Sequence, residues 1–251
     1  MKILCFKTKK DVEKFAASLV MKEVQANPRI VLGLATGRTM IGVYSEMVAL
    51  AQKSPTTFRE VKTFNLDEYV GLPPHHKASF QHFMHEHLFS HLNFNLAYCS
   101  LPRGYAPNPA AEAIRYENEI DQKGGIDLQL LGLGVNAHIG FNEPGSSFDS
   151  KTRVVKLTQE TKDQNKFAFP NEAIPEEAIS MGLSTIMKCQ KILLVVTGLS
   201  KAQPLAQSLE AAHVAFPASI LLNHSNVTIL ADEEAVSLIP ETKRQLITRA
   251  N

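Results

Sequence analysis

The sequence predicts an α/β fold built on a mainly parallel sheet with helices on both faces. Apolar, β-branched runs of strand length recur along the chain, with helical stretches between them. Several runs are apolar without alternation, as buried parallel strands are. Their carboxyl ends break into glycine, hydroxyl and amide residues, where sheets of this class bind ligands.

Taken in order, Ile3–Phe6 reads as a short strand. Asp11 to Gln25 reads as a helix capped by Asp11, with Val12, Phe15, Ala16, Leu19 and Val20 on one face. Ile30–Leu34 is a buried strand that breaks into Ala35-Thr36-Gly37-Arg38-Thr39, and a helix follows through Val43, Met47 and Leu50. Val61–Leu66 is the next strand. Helices are expected from Phe80 to His91 and from Ala110 to Gln122. Asp127–Leu133 is a strand ending in Gly134, Ala178–Met187 reads as a helix, and Lys191–Thr197 is a strand leading into a helix from Ser200 to Leu209. Pro217–Leu222 is ambiguous, Val227–Ala231 is a last strand, and a C-terminal helix begins near Glu233. Repeats, low-complexity tracts and linker-like stretches are absent, so one domain over residues 1–251 is the simplest organisation.

Composition narrows the function classes. The formal net charge of +1 gives no general field for nucleic acid or an anionic membrane, so any anion site must be local. Cys5, Cys99 and Cys189 are scattered, which argues against a disulfide framework or a zinc site. The first residues read as a strand without a signal-peptide apolar region, and no apolar run approaches the roughly 20 residues that span a bilayer. A cytoplasmic location is the expectation. His87 and His91 have metal-compatible spacing within a group that includes His75, His76, His82 and His85, but no His-Glu-x-x-His pattern appears and the neighbourhood lacks Cys or clustered Asp, so a solvated, partly aromatic helix is the simpler reading.

Four polar strand ends carry the candidate chemistry. Thr36-Gly37-Arg38-Thr39 offers backbone N–H groups and hydroxyls at a helix start, which suits phosphate; a tight capped turn would look the same. Gly198-Leu199-Ser200-Lys201 repeats the theme. A lysine in a first helical turn opposes the macrodipole, and a bound anion would give it a reason. Asp67 and Glu68 are adjacent carboxylates at a strand end, fit for a general base or for an exposed acidic loop. The most informative stretch runs from Gly132 to Gly145. It sets His138 between glycine turns, with Asn136 and Glu143 close by to orient it or take protons.

These residues resemble the glucosamine-6-phosphate deaminase family, within the broader group that includes 6-phosphogluconolactonases. The matching segments are LGLATGRTMIGVY from Leu32, FNLDEYVGLP from Phe64, LGLGVNAHIGFNEPGSSF from Leu131 and VTGLSKAQPL from Val196. The resemblance implies a three-layer α/β/α, Rossmann-like fold. It also implies conversion of glucosamine 6-phosphate to fructose 6-phosphate plus ammonia, a deaminase and isomerase of the hydrolase class, with no cofactor and no metal. Asp67 would move a proton between C2 and C1. His138 would assist ring opening, supported by Glu143 and Asn136, where many members carry Asp. Thr36, Gly37, Thr39 and Lys201 align with the phosphate cradle, and Glu68 and Ala137 fall within the substrate-binding motifs.

The departures are specific. Arg38 stands where a small residue is usual, Met40 where Pro is usual, and Phe167 where the pattern resembling ANSRFF has its phosphate-binding arginine. The expectation is that Arg38, or else Lys166, supplies the missing cation. Galactosamine 6-phosphate is an alternative substrate: the segment Phe216–Asn226 resembles its deaminases, although Tyr69 stands where they carry Trp. A lactonase-like hydrolase and a non-catalytic sugar-phosphate sensor are the readings of other classes. Ser146 and Arg153 match two positions of the family's allosteric site. Val155 stands for a lysine there and the C-terminal tyrosine segment is missing, which speaks against allosteric activation. The choice between monomer and homo-oligomer stays open. The polar, irregular stretch 154–175 is the expected lid.

Overall fold

The computed structural model describes residues 1–53 and 56–250. Its strands are β1 (Lys2–Phe6), β2 (Val31–Leu34), β3 (Lys62–Asn65), β4 (Asp67–Tyr69), β5 (Cys99–Ser100), β6 (Leu128–Gly132), β7 (Arg153–Lys156), β8 (Glu177–Ser180), β9 (Lys191–Val196), β10 (Val227–Asp232) and β11 (Ile247–Arg249). Its helices are α1 (Lys9–Ala26), α2 (Arg38–Lys53), α3 (Phe80–Met84), α4 (Pro109–Gln122), α5 (Gln159–Asn165), α6 (Leu183–Met187), α7 (Ala202–Ser208) and α8 (Glu233–Val236). No helix among the described residues is long and apolar enough to cross a membrane.

Eight strands form one parallel sheet in the order β11-β1-β10-β9-β6-β2-β3-β5. β2 and β6 are neighbours, yet the chain runs outward from β2 through β3 to β5 and outward the other way from β6 through β9 to β10. Right-handed crossovers therefore place the helices of the two halves on opposite faces. They also leave a crevice beyond the carboxyl ends of β2 and β6, where the strand order reverses. Both faces are apolar and covered: Leu32, Leu34, Leu130, Leu131, Leu193 and Leu194 are buried.

A second, antiparallel sheet, β4-β8-β7, stands over that crevice. The chain crosses into it at Leu66, whose N–H donates to Leu34 O (3.0 Å) and whose carbonyl accepts from Met181 N (2.8 Å). Asp67, opposite Ser180, is thereby lifted just past the end of β3. A small aromatic cluster of Tyr69, Phe80, Phe141 and Phe169 packs beside this sheet.

Tertiary pairing accounts for most differences from the expected elements. Ala178–Ser180 is a strand rather than a helix, because β4 and β7 flank it on both sides; the helix starts only after Gly182. The expected single helix Phe80–His91 stops at Met84 and continues as a π-helical turn, His85–Phe89, closed by Ser90 N on His85 O (3.1 Å). The wider turn lets Met84, Leu88 and Phe89 all bury. Thr8, not Asp11, caps α1: its hydroxyl oxygen accepts from Asp11 N (3.2 Å) and its O–H donates back to the Asp11 carboxylate (2.6 Å). The C-terminal helix is only α8; after Pro240 the chain makes a 3₁₀ turn and adds β11 to the sheet edge.

The loop after β6 is pegged by Asn142. Its Nδ2 donates to Ile139 O (2.9 Å) and Met181 O (2.8 Å), and its Oδ1 accepts from Arg153 Nη1 (2.9 Å). Replacing Asn142 with Ala strands buried groups that cost about 1–3 kcal/mol each when unpaired. The expected result is a clearly lowered urea midpoint with an unchanged m-value.

Candidate active site

The turn after β2 brings its phosphate candidates to the crevice. Gly37 has φ 101°, which only glycine adopts at no cost, and α2 begins immediately after it. Tyr44 of α2 pins the turn by donating its hydroxyl to Ala35 O (2.6 Å). Among the described residues, the N–H groups of Gly37, Arg38 and Thr39 have no protein acceptor, as expected at a helix start. Thr36 and Thr39 are half-buried, while Gly37 and Arg38 are exposed. The Arg38 guanidinium lies over the Phe167 ring, with Cζ 4.3 Å from the centroid. The two unusual residues of the sequence are therefore in contact. Lys166 is exposed on the same 3₁₀ turn, Lys166–Ala168.

The second expected phosphate turn is built differently. Gly198 N donates to both Asp232 carboxylate oxygens (3.0 and 2.9 Å), and Leu199 N donates to Glu234 Oε2 (3.2 Å). These N–H groups are thus occupied by the protein's own carboxylates. Lys201 remains to meet an anion from this strand end, with the exposed Ser200 before it; Lys201 closes a 3₁₀ turn, and α7 starts after it. Lys201 is half-buried and burial lowers its pKa; no carboxylate pairs with it among the described residues.

Asp67 and Glu68 point in opposite directions from β4, as strand neighbours must. Glu68 turns away from the crevice and accepts from Tyr69 N (2.9 Å), Phe80 N (3.0 Å) and Gln81 N (3.0 Å). These three bonds make Glu68 a buried tether for the start of α3. Burial pushes its carboxyl up to about 7 even against those donors. Asp67 is buried, and no protein donor reaches its carboxylate among the described residues. Burial, and then the charge of Glu68, push it up to about 8. Gly140 lies against it: a Cβ there would stand 3.5 Å from Asp67 Oδ2 and 3.2 Å from Ser180 Oγ.

His138 sits on the loop after β6. Ala137 has φ 64°, unusual for a residue with a side chain, and this turn directs His138. Ala137 itself is fully buried; its N–H donates to Gly134 O (3.2 Å) and its carbonyl accepts from Ala218 N (2.9 Å). Both bonds hold the turn that carries His138. The His138 ring lies flat over Gly134, where any Cβ would fall 2.4 Å from ring atoms.

An amide connects this histidine to two carboxylates. Asn136 Nδ2 donates to Glu143 Oε2 (2.8 Å) and to Glu160 Oε2 (3.0 Å), and Asn136 Oδ1 lies 2.7 Å from His138 Nδ1. Carboxylates only accept, so the NH₂ must face them and the amide oxygen must face the ring. His138 Nδ1 therefore carries a proton, and in the neutral tautomer this leaves the lone pair on Nε2. Glu143 is nearly buried, and burial alone would raise its pKa. Hydrogen bonding and charge from His138, with hydrogen bonds from Thr161 and Asn136, outweigh that and hold it at about 2. Glu143 also lies 3.5 Å from His138 Nδ1.

The expected lid is fastened rather than irregular throughout. Its first residues form β7, then α5 carries Glu160 and Thr161 onto Asn136 and Glu143, and Phe169 is buried in the aromatic cluster. Glu172 is 2.8 Å from His76 Nε2. Glu160, Thr161, Asp232 and Ser180 were not singled out by the sequence. Thr158-Gln159-Glu160-Thr161 does carry a helix-start signal, with Thr158 accepting from Thr161 N (3.2 Å), but not its destination.

These carboxyl groups set opposite pH dependences of stability. Asp67 and Glu68 are raised from ordinary values of 3.8 and 4.5 to about 8 and 7, so the folded chain holds protons that the unfolded chain has lost. Their contribution is fully present below the ordinary values and is lost as pH rises through about 7 and 8. Glu143, lowered to about 2, contributes above 4.5 and is lost as pH falls through about 2. The urea midpoint is expected to fall from pH 5 to pH 8.5, and Asp67→Asn is expected to flatten much of that fall. An equally steep fall in the variant would show that Asp67 is not the titrating group.

The family model for glucosamine-6-phosphate isomerases and 6-phosphogluconolactonase matches residues 7–230. A glucosamine-6-phosphate deaminase of Geobacillus sp. (strain WCH70) is 43% identical over 251 residues, covering 99% of this chain and 100% of the relative. One from Shouchella clausii (strain KSM-K16) is 47% identical over 240 residues, covering 95% and 97%. The solved structure of a monomeric glucosamine-6-phosphate deaminase superposes with a TM-score of 0.92 at 41% identity, covering 95% of this chain and 100% of that one. A 6-phosphogluconolactonase from Trypanosoma brucei shares the fold at 19% identity, with a TM-score of 0.75 and coverage of 95% and 98%. On this match of sequence, fold and length, the chain belongs to the glucosamine-6-phosphate isomerase/6-phosphogluconolactonase family.

Proposed function

We propose that this chain isomerises and deaminates glucosamine 6-phosphate, giving fructose 6-phosphate and ammonia. The observation that carries the reading is a buried, raised-pKa carboxylate, Asp67, set against the same loop that holds an oriented His138. The full-length relatives named for this reaction support the substrate.

The phosphate is held by the free N–H groups at the start of α2, the hydroxyls of Thr36 and Thr39, and Lys201. Arg38 adds the cation that Phe167 does not provide. Anchored there, the sugar places its reacting carbons near the acid–base groups, and the proton transfers become effectively unimolecular. His138 Nε2 takes the proton of the C1 hydroxyl and returns it to the ring oxygen, opening the ring. The proton that His138 carries on Nδ1 rests on Asn136, and the Glu143 charge steadies the cation formed in transit. Asp67, as carboxylate, removes the C2 proton of the open aldehyde while the substrate's C2 ammonium group passes a proton to O1, giving a neutral enolamine; Asp67 then delivers its proton to C1. C2 is then an iminium, water adds to it, ammonia leaves and the ketone remains. Water is consumed in that last step, which is the sense in which the reaction is a hydrolysis. Every step is a proton transfer or an addition of water, so acid–base groups suffice.

Incubation with glucosamine 6-phosphate, galactosamine 6-phosphate and 6-phosphogluconolactone separates the substrates. Ammonia and fructose 6-phosphate are expected from the first, and kcat is expected to fall by roughly 10²–10⁴ in Asp67→Asn. Acid release from the lactone without ammonia from either amino sugar would overturn the reading.

Arg38→Ser is expected to raise KM for the phosphosugar about tenfold, the ~1.4 kcal/mol scale of a charge-assisted hydrogen bond, with kcat little changed. An unchanged KM would remove Arg38 from the phosphate site.

A further inference from the structure

We infer that Glu160 is a positioning residue for His138, acting through Asn136, and that residues 136 and 160 are a matched pair. The inference rests on the proposed deaminase reading for its kinetic consequences, but its geometry stands apart from it. Glu160 lies in the first turn of α5, and its carboxylate is 3.0 Å from Asn136 Nδ2. Glu143 takes the same amide nitrogen at 2.8 Å. Between them the two carboxylates receive both amide hydrogens, so the amide cannot turn over without setting its oxygen against two negative charges. That lock delivers the amide oxygen to His138 Nδ1 at 2.7 Å, and to His138 N at 3.3 Å, which settles which ring nitrogen is left to accept a proton.

Chemistry explains why the pair must match. An amide at 136 has two donors to satisfy and accommodates a second carboxylate. A carboxylate at 136 has no donor, and at 3.0 Å it would meet the Glu160 charge head-on. Asn136 therefore calls for an acceptor at 160, and an acid at 136 calls for a donor or a neutral residue there. Thr161, the next residue, donates to Glu143, so the same helical turn holds both carboxylate and amide in place. The side chain of Glu160 is exposed, and among the described residues it makes no hydrogen bond to the phosphate turn or to Asp67. Its effect is thus predicted on kcat rather than on KM.

The test is a double-mutant cycle on the full chain: wild type, Glu160→Gln, Asn136→Asp and the double variant, with Glu160→Ala as a fifth protein and Asp163→Asn as a control on the same helix. Ammonia release gives kcat and KM, and thermal unfolding gives a second readout. Glu160→Gln keeps an acceptor and is expected to be mild. Glu160→Ala is expected to lower kcat several-fold with KM nearly unchanged. Asn136→Asp is expected to lower kcat and Tm, and adding Glu160→Gln, whose amide can donate to the new acid, is expected to restore about tenfold in kcat and part of the Tm. Asp163→Asn should leave both unchanged. Additive effects of the two substitutions in both kcat and Tm, or a Glu160→Ala variant with wild-type kcat, would overturn the pairing. If wild type releases no ammonia, the deaminase reading fails, and coupling in Tm still decides the pairing.

Discussion

Two neighbouring parallel strands that send their chains in opposite directions create the crevice on which everything else depends. β2 and β6 lie side by side with no crossover between their carboxyl ends to fill the gap. The turn after β2 provides an unsatisfied helix start, and the loop after β6 provides a histidine. Neither strand could supply both, because each end has room for one tight turn. The short antiparallel sheet then adds what the parallel sheet lacks, a carboxylate lifted over the end of β3.

The site is a study in how burial is offset. Four of the carboxylates in or beside it differ in their relation to donors. Glu143 is surrounded by them and stays charged, Glu68 accepts from a helix start, Asp232 holds a glycine N–H, and among the described residues no donor reaches Asp67. A carboxylate without donors is the costly member of the set and the one suited to accept a proton from carbon. Stability has been given up at that position, and the surrounding hydrogen bonds offset the loss.

The main sheet was legible, and the candidates Asp67, His138 and Glu143 stood out, because both are written locally. Unbroken apolar runs specify parallel strands, and glycine-rich polar ends mark where those strands stop. The second sheet was not legible. β4 is three residues long, and β8 reads as helix until its two flanking partners are known. The same limit applies to the site. Asp67, His138 and Glu143 stand in dense motifs, whereas Glu160 and Asp232 act on groups far away in sequence. Glu68 shows what a dense motif leaves out: strand alternation turns its side chain to the face of β4 opposite Asp67. Arg38 and Phe167 were flagged as separate departures, and folding shows them to be one contact.

The length of α5 has a thermal consequence. Seven residues are too few to hold a helix in water by themselves, so α5 exists only while its side chains are engaged. Those engagements are largely with the amide and the carboxylate that orient His138. On the proposed role of Glu160, fraying of this one helix would disorder the proton relay while the large sheet remained folded. Turnover would then decline on heating before the protein melts, and the ceiling on working temperature would be a local unfolding equilibrium, open to adjustment by helix propensity at solvent-facing positions far from any reacting atom.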